Sequence, residues 1–212
     1  MNGRRARWLF VAASLLAFAV LAGLARGNSI LHGDVRLARW IQQWRWPSLD
    51  TLTDAANWSM RTGPLAIGVL IILIGLLWRH WWAEAALLAT ATLIMHGSYV
   101  MKELFDSPRP PASLVRVAEQ SDTFGFPAGR AGNAVLVLGA LAWIAGRHVT
   151  SSRIRIGIWI AAGFWILLTG VARIRVGAHW PSDILGAWLW TIPVLIILTA
   201  LTASRQNCDD RG

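Results

Sequence analysis

Lys102 is the only lysine among the 20 lysine and arginine residues of this 212-residue chain, and it stands seven residues before Arg109. Arginine grips phosphate oxygens with two parallel N–H donors, whereas lysine supplies a compact point charge. A site that uses both can hold phosphate oxygens from several directions. The single ammonium among so many arginines therefore predicts phosphate chemistry.

Two more arginines, Arg130 and Arg173, are expected at the level of the lipid headgroups, as Lys102 and Arg109 are. An arginine at the centre of a bilayer costs about 2.5 to 3.5 kcal/mol on insertion scales, and less toward the interface. Grouped cations without matching carboxylates therefore need an anionic partner, and a dianionic phosphate is suitable. Taken singly, each cation is also compatible with snorkelling to the interface or with a headgroup contact.

His179 and Asp183 are four residues apart, and Pro181 and Ser182 between them suit the first turn of a helix. The carboxylate can reach back to one imidazole nitrogen, which fixes the tautomer and leaves the other nitrogen free to attack or to take a proton. The plainer interpretation is an acid that stabilises a helix N-terminus beside an interfacial histidine.

Gly129 follows Pro127 where a proline-rich loop ends and a helix is predicted to begin. Backbone N–H groups at a helix start can bind phosphate oxygens, and a glycine lets the main chain approach the ligand closely. Gly129 is therefore a candidate phosphate-binding residue, although glycine is common at helix starts.

The elements that carry these residues are predicted to cross a membrane. The chain is 55% apolar, contains 14 tryptophans and is only 15% charged, which is too apolar for a soluble domain of this length. We expect an all-α polytopic membrane protein with a single domain over residues 1–212. Its six predicted transmembrane helices are 8–25, 63–78, 82–105, 131–146, 154–171 and 183–202.

Other segments have patterns of their own. Residues 29–47 interleave apolar residues with arginines, which is typical of an amphipathic helix at the membrane interface. Residues 50–60 are predicted to form a short helix or a re-entrant segment. Residues 107–130 contain four prolines and are predicted to form an extended loop. A cleaved signal peptide is the alternative for the first span, because residues 22–25 look like a cleavage site.

The distribution of arginines predicts the orientation. Six spans place both termini on one side, and apart from the four motif cations nine arginines fall on that side and seven on the other. The positive-inside rule then predicts cytoplasmic termini, with the loops after the third and fifth spans outside. In a bacterium this would be an inner-membrane protein whose site faces the periplasm or exterior.

Other function classes are disfavoured. The formal net charge of +9 does not indicate nucleic-acid binding, because the arginines are scattered between apolar stretches without a basic tract. The single cysteine, Cys208, excludes an internal disulfide and a cysteine-based metal cluster. We expect neither a metal nor a cofactor.

Together these segments resemble the membrane-bound branch of the type 2 phosphatidic acid phosphatase (PAP2) superfamily, whose pattern is Lys-x6-Arg-Pro, then Pro-Ser-Gly-His, then Ser-Arg-x5-His-x3-Asp. The matching residues of the first and third blocks are Lys102, Arg109, Pro110, Arg173, His179 and Asp183. The resemblance implies a metal-independent phosphatase for lipid phosphates such as phosphatidic acid, phosphatidylglycerol phosphate or polyprenyl diphosphate. It also implies that His179 is the nucleophile that forms a phosphohistidine and that Asp183 orients it. The phosphate would be bound by Lys102, Arg109 and Arg173.

The second block departs from this pattern, since Ala128 and Arg130 stand where the superfamily has serine and histidine. The resemblance implies that this histidine is the general acid that protonates the leaving group. Arginine cannot donate a proton at neutral pH, and general acid catalysis is worth about 100-fold to 10,000-fold.

The cost of this replacement depends on the leaving group. An alkoxide needs the proton, whereas a phosphate that leaves from a diphosphate has a pKa of about 6 and can depart unprotonated. We therefore expect a preference for a lipid diphosphate, with Arg130 neutralising the charge that develops on the leaving phosphate.

Several alternatives stay open at this point. A catalytically impaired relative could bind phospholipid or act as a scaffold, and an active relative could pass the phosphate to another acceptor. A soluble-type vanadate haloperoxidase shares the phosphate-binding residues but does not need six spans. His32 and His96 are histidines that could supply the missing acid, although neither has a supporting motif.

Overall fold

The computed structural model describes residues 3–26, 30–94 and 97–209. The regular elements in these ranges are helical, which confirms the all-α fold class. In chain order the helices are α1 (Gly3–Ala25), α2 (Asp34–Gln43), α3 (Pro47–Ser59), α4 (Thr62–Trp78), α5 (Trp82–Ile94), α6 (Ser98–Phe105), α7 (Gly129–Asn133), α8 (Gly139–His148), α9 (Ser152–Arg175) and α10 (Pro181–Asp209). A π-helical turn, Ala134–Leu138, joins α7 to α8.

Within the described ranges, four helices are long and apolar enough to cross a membrane: α1, the continuous helix Gly129–His148, α9, and Pro181–Arg205 of α10. α3 and α4 pass the same test only as a pair, bent by 67° at the break between them. α5 is apolar but shorter. The predicted third span, 82–105, covers α5 and α6, and residues 95 and 96 between them lie outside the described ranges. Length and composition thus support four spans, or five with the bent pair, and six spans stay a prediction.

α2 lies within the segment predicted to be an amphipathic helix, and its helical form is confirmed. Its buried face is partly polar, because Asp34 and Gln42 lie there beside Ala38 and Ile41, while Trp40 is 51% exposed. The helix packs on α9 and α10. Its location at the membrane interface stays a prediction.

The apolar core lies among α5, α8, α10 and the π-helical turn. Its buried residues include Leu88, Leu136, Ala140, Trp190 and Leu195. Gly139 lets α10 approach closely, because a Cβ at this position would stand 2.3 Å from Leu195 Cδ2. The core therefore fixes the positions of α10 and of the continuous helix Gly129–His148, whose N-terminal ends reach the candidate site.

The loop predicted over residues 107–130 runs through residues 106–128 without a helix or strand. Its two ends meet, because the Gly125 N–H donates to the Ser107 carbonyl oxygen at 2.8 Å. A Cβ at Gly125 would stand 2.9 Å from Asp183 Oδ2. Glycine at this position thus lets the loop lie directly against the start of α10.

Phe126 anchors the end of this loop as a fully buried side chain. It stacks on Phe18 of α1 with ring centroids 5.8 Å apart, and it meets Phe105 of α6 edge-on at 5.5 Å. Gly186 of α10 makes room for it, since a Cβ there would lie 2.2 Å from the Phe126 ring. The peptide bond to Pro127 is cis. These contacts hold the residues that lead into α7 between α1, α6 and α10.

Candidate active site

His179 lies in a tight turn between α9 and α10. Gly177 in this turn has a positive φ of 70°, and a Cβ at this position would stand 2.1 Å from the Arg116 carbonyl oxygen. Glycine is therefore required for the turn to pass this close to the loop. The Ala178 N–H donates back to the Arg173 carbonyl oxygen at 3.1 Å, so the turn folds His179 toward the end of α9.

Asp183 lies in the first turn of α10, four residues after His179. Its Oδ2 is 3.4 Å from His179 Nδ1 and accepts a hydrogen bond from Trp180 N at 2.9 Å. Both side chains are buried, with 3% and 1% exposed. The carboxylate favours the tautomer with the proton on Nδ1, which leaves the lone pair on Nε2.

The other ring nitrogen of His179, Nε2, faces the cations, and Arg109 Nη1 lies 3.5 Å from it. Burial lowers the pKa of His179 well below the usual value for histidine, and four cations lower it further. In order of decreasing effect these cations are Arg173, Arg109, Lys102 and Arg130. The imidazole is therefore neutral at physiological pH, which is the form that can act as a nucleophile.

Arg109 connects the loop to the histidine turn. Its Nη1 donates to the Ala178 carbonyl oxygen at 2.7 Å. Its Nε and Nη2 donate to the carbonyl and hydroxyl oxygens of Thr123 at 2.5 and 2.9 Å. The contacts to Thr123 and Ala178 therefore fix the orientation of the guanidinium next to His179.

Lys102 lies in the last turn of α6 and is only 6% exposed. Its charge interacts with those of Arg109, Asp183, Arg173 and Arg130. The structure therefore brings the solitary ammonium into the same cluster as the histidine turn, although α6 and α9 are distant in the sequence.

Arg130 and Arg173 share two partners that the sequence did not reveal. Arg130 Nη1 donates to Glu119 Oε1 at 2.5 Å and to Asn57 Oδ1 at 3.2 Å. Arg173 Nη1 donates to Glu119 Oε2 at 2.9 Å and to Asn57 Oδ1 at 2.8 Å. The Asn57 amide also donates to Glu119 Oε2 at 3.3 Å. We call these four residues the Glu119 network.

Glu119 corrects one premise of the sequence interpretation. The cations were expected to lack matching carboxylates, yet Glu119 matches two of them. Burial alone would raise the pKa of Glu119, but the hydrogen bonds and charges of Arg173 and Arg130 outweigh it and lower the pKa to about 2. The side chain is therefore an anion at neutral pH. In the sequence, Glu119 was visible only as an acidic residue within the extended loop predicted over residues 107–130.

Asp34 is a second acid that the sequence interpretation missed. Its Oδ1 accepts from the Ser182 N–H at 3.0 Å, and its Oδ2 accepts from the Ser182 hydroxyl at 2.6 Å. Asp34 thus holds the first turn of α10, next to Asp183. Burial raises the pKa of Asp34, and the hydrogen bonds from Ser182 oppose this shift.

Gln42 makes a similar link from the other end of α2. Its amide nitrogen donates to the carbonyl oxygens of Arg116 and Ile174 at 2.8 and 3.0 Å. Its amide oxygen accepts from the Arg116 N–H at 3.0 Å. α2 therefore ties the loop to the end of α9.

The remaining predicted site residues are placed as follows. Gly129 is the first residue of α7, beside the Ala128 N–H that donates to the Asp183 carbonyl oxygen at 3.1 Å, and its contact with phosphate stays a prediction. His32 is exposed just before α2. His96 lies outside the described residues. In the part of the chain that the structure describes, no three His, Cys, Asp or Glu side chains are grouped as metal ligands.

Arg173 has one further hydrogen-bond donor, its Nε. Among the described residues, its Nε is buried without a hydrogen-bond partner, while its Nη1 is bound within the Glu119 network. A buried N–H without a partner costs free energy that an incoming oxygen can recover. The cluster can therefore bind an anion next to His179.

Comparisons with known proteins support this interpretation. A family model described as the PAP2 superfamily matches residues 80–207. Phosphatidylglycerophosphatase B of Bacillus subtilis (strain 168) is 26% identical over 176 residues, which cover 82% of this chain and 85% of the relative.

Two solved structures share the fold. A transmembrane PAP2 type phosphatidylglycerolphosphate phosphatase from Bacillus subtilis superposes with a TM-score of 0.77 at 22% identity, covering 93% of this chain and 96% of the other. Aquifex aeolicus LpxE superposes with a TM-score of 0.58 at 22% identity, covering 80% of this chain and 93% of the other.

Proposed function

The chain belongs to the PAP2 superfamily, and from this premise we propose that it is a membrane phosphatase that hydrolyses a lipid phosphate. The relatives whose names specify a phosphatidylglycerophosphate phosphatase support a lipid substrate. The observation that carries the proposal is the buried, neutral His179, with a carboxylate at Nδ1 and four cations around the ring.

The proposed reaction has two steps. In the first, His179 Nε2 attacks phosphorus, a P–N bond forms, and the P–O bond to the leaving group breaks. Asp183 stabilises the imidazolium-like ring through Nδ1. In the second, a water oxygen attacks phosphorus and the P–N bond breaks. His179 regains the lone pair on Nε2, and inorganic phosphate leaves as H2PO4− with both protons of the water. Lys102, Arg109 and the unpartnered Nε of Arg173 are suited to hold the phosphoryl oxygens.

The choice of leaving group follows from Arg130. Arginine stays protonated and cannot act as a general acid. It can, however, stabilise negative charge on a departing phosphate. We therefore propose that a lipid diphosphate such as polyprenyl diphosphate is preferred over a lipid monophosphate.

The proposed location is a bacterial inner membrane, with cytoplasmic termini and the site facing the periplasm or exterior. The distribution of arginines supports this orientation, and the bacterial relative supports the compartment.

The test is phosphate release by purified protein in detergent. The substrates are phosphatidic acid, phosphatidylglycerol phosphate and a polyprenyl diphosphate at equal surface concentration. His179→Ala should abolish release. His80→Asn is the matched control, because His80 is exposed in the turn between α4 and α5 and has a positive φ of 59° that asparagine tolerates. Equal turnover of monophosphates and diphosphate would refute the preference.

Two alternatives predict different outcomes in the same assay. The first alternative is a relative that binds phospholipid without turnover, and the replacement of the family histidine by Arg130 favours it. In that case wild-type protein and His179→Ala should bind substrate equally, and neither should release phosphate. A phosphotransferase would release little phosphate in water and label an added alcohol acceptor instead. Phosphate release that depends on His179 and needs only water as acceptor excludes both.

A further inference from the structure

The Glu119 network is built into the fold by its backbone as well as its side chains. The N–H groups of Ala118 and Glu119 donate to the Val176 carbonyl oxygen at 2.8 and 3.2 Å. Val176 lies between Arg173 and His179 in the sequence. The backbone of Glu119 is therefore anchored to the turn that carries His179.

We propose that Glu119 is a built-in counter-anion that competes with phosphate oxygens for Arg130 and Arg173, and so determines which phosphates the site retains. This inference rests on the proposed function, because it takes the ligand of these cations to be a phosphoryl group. It makes Glu119 a specificity-determining residue.

The competition follows from shared donors. Both oxygens of Glu119 are bound to arginine N–H groups, which are the same groups that a phosphate would use. Lys102 and Arg109 have no carboxylate at ion-pair distance among the described residues. One phosphoryl group can therefore bind at His179 without displacing Glu119, whereas a second phosphate that reaches Arg130 must replace it.

This arrangement has a consequence for the product. Inorganic phosphate would bind to a cluster of cations that already holds one negative charge, and like charges repel each other. It therefore leaves more readily than it would from a site with four unopposed cations. A diphosphate makes a second contact, with Arg130, and this contact offsets the displacement of Glu119.

Two other roles for Glu119 make different predictions. A proton donor must be protonated in the resting site, but the low pKa of Glu119 keeps it ionised. A purely structural role, in which Glu119 only positions the arginines, predicts that its removal weakens phosphate binding. The proposed competition predicts the opposite.

The test measures binding of inorganic phosphate to the full chain in detergent by titration calorimetry, with His179→Ala as the background. Adding Glu119→Gln should tighten phosphate binding by about tenfold to a hundredfold, the equivalent of about 1.4 to 2.7 kcal/mol, because the variant removes a fixed negative charge that repels the bound phosphate. In the active enzyme, Glu119→Gln should increase inhibition by phosphate to a similar extent.

Two variants control the experiment. Asp122→Asn removes an acid that is exposed on the same loop, and it should change phosphate affinity less than about twofold because exposed charges are screened. Glu119→Asp keeps the charge and should stay close to the wild-type affinity. Thermal unfolding of each variant verifies that it is folded.

The outcomes separate this inference from the proposed function. Phosphate affinity that is unchanged or weaker in folded Glu119→Gln refutes the inference alone. Tighter binding in this variant, combined with a wild-type protein that releases no phosphate, refutes the proposed function alone. If no variant binds phosphate, both are wrong.

Discussion

Arg130→His tests the idea that the leaving group determines activity. Arg130 is the second residue of α7, and its side chain is 27% exposed. The substitution removes the donors to Glu119 Oε1 and Asn57 Oδ1, while Arg173 keeps its own bonds to both residues. A partly exposed ion pair contributes about 1 kcal/mol or less. The variant should therefore fold with a small loss of stability.

The expected effects on turnover have opposite signs for the two substrate classes. A histidine at this position can protonate an alkoxide, so monophosphate turnover should rise by about 100-fold to 10,000-fold, or about 3 to 5.5 kcal/mol of activation free energy. Diphosphate turnover should fall by about tenfold or more, because a fixed cation opposite the leaving phosphate is lost.

The assay is kcat/KM for phosphatidic acid and for a polyprenyl diphosphate, measured with wild-type protein, Arg130→His and Arg130→Gln. The glutamine variant removes the charge without adding a proton donor. It should therefore lose diphosphate activity and gain no monophosphate activity. If Arg130→His raises kcat/KM for neither substrate, or raises it equally for both, the leaving-group reasoning is wrong.

Three further predictions concern the turn and its supports. Because burial and the surrounding cations lower the pKa of His179, its ring should stay neutral as pH falls, and the NMR signals of its ring nitrogens should not titrate between pH 7.5 and about 5.5. A titration midpoint near pH 6.5 would contradict this. Gly177→Ala should destabilise the protein by about 2 kcal/mol or more and abolish activity, because residue 177 has a positive φ and an added Cβ would meet the Arg116 carbonyl oxygen. Unchanged thermal unfolding in detergent would count against this turn geometry. Asp34→Ala should cost about 1 kcal/mol or more, since it removes the acceptor of the half-buried Ser182 N–H. A stability equal to wild type would show that the link is dispensable.

The sequence predicted most of the helices because long apolar runs have few other solutions. The predicted span 154–171 lies within α9, and the segment 50–60 overlaps α3. The ends were less accurate, since α9 continues to Arg175. Arg175 is only 5% exposed and donates to the Asp50 carboxylate and the Trp44 carbonyl oxygen, contacts that no pattern in the sequence indicated.

The residues of the candidate site were also only partly recognisable from the sequence. Lys102 with Arg109, and His179 with Asp183, are recognisable because each pair has a fixed spacing within one segment. Glu119 and Asn57 have no such spacing, because they lie 54 and 116 residues from Arg173. Only the packing of α3 and the loop on α9 brings them there. Contacts of this kind depend on tertiary structure and leave no local pattern in the sequence.

The contribution of α2 and α3 affects how the protein can be divided. The family match begins at residue 80, but Asp34, Gln42 and Asn57 all precede it. They bind the first turn of α10, the loop and the arginines, respectively. A fragment cut at the family boundary would lack the Asp34 acceptor of the Ser182 N–H and the Gln42 amide that binds the Arg116 carbonyl oxygen. The region that the family model matches therefore depends on contacts from α2 and α3, and any truncation, chimera or grafting experiment must carry residues 34–59 with it.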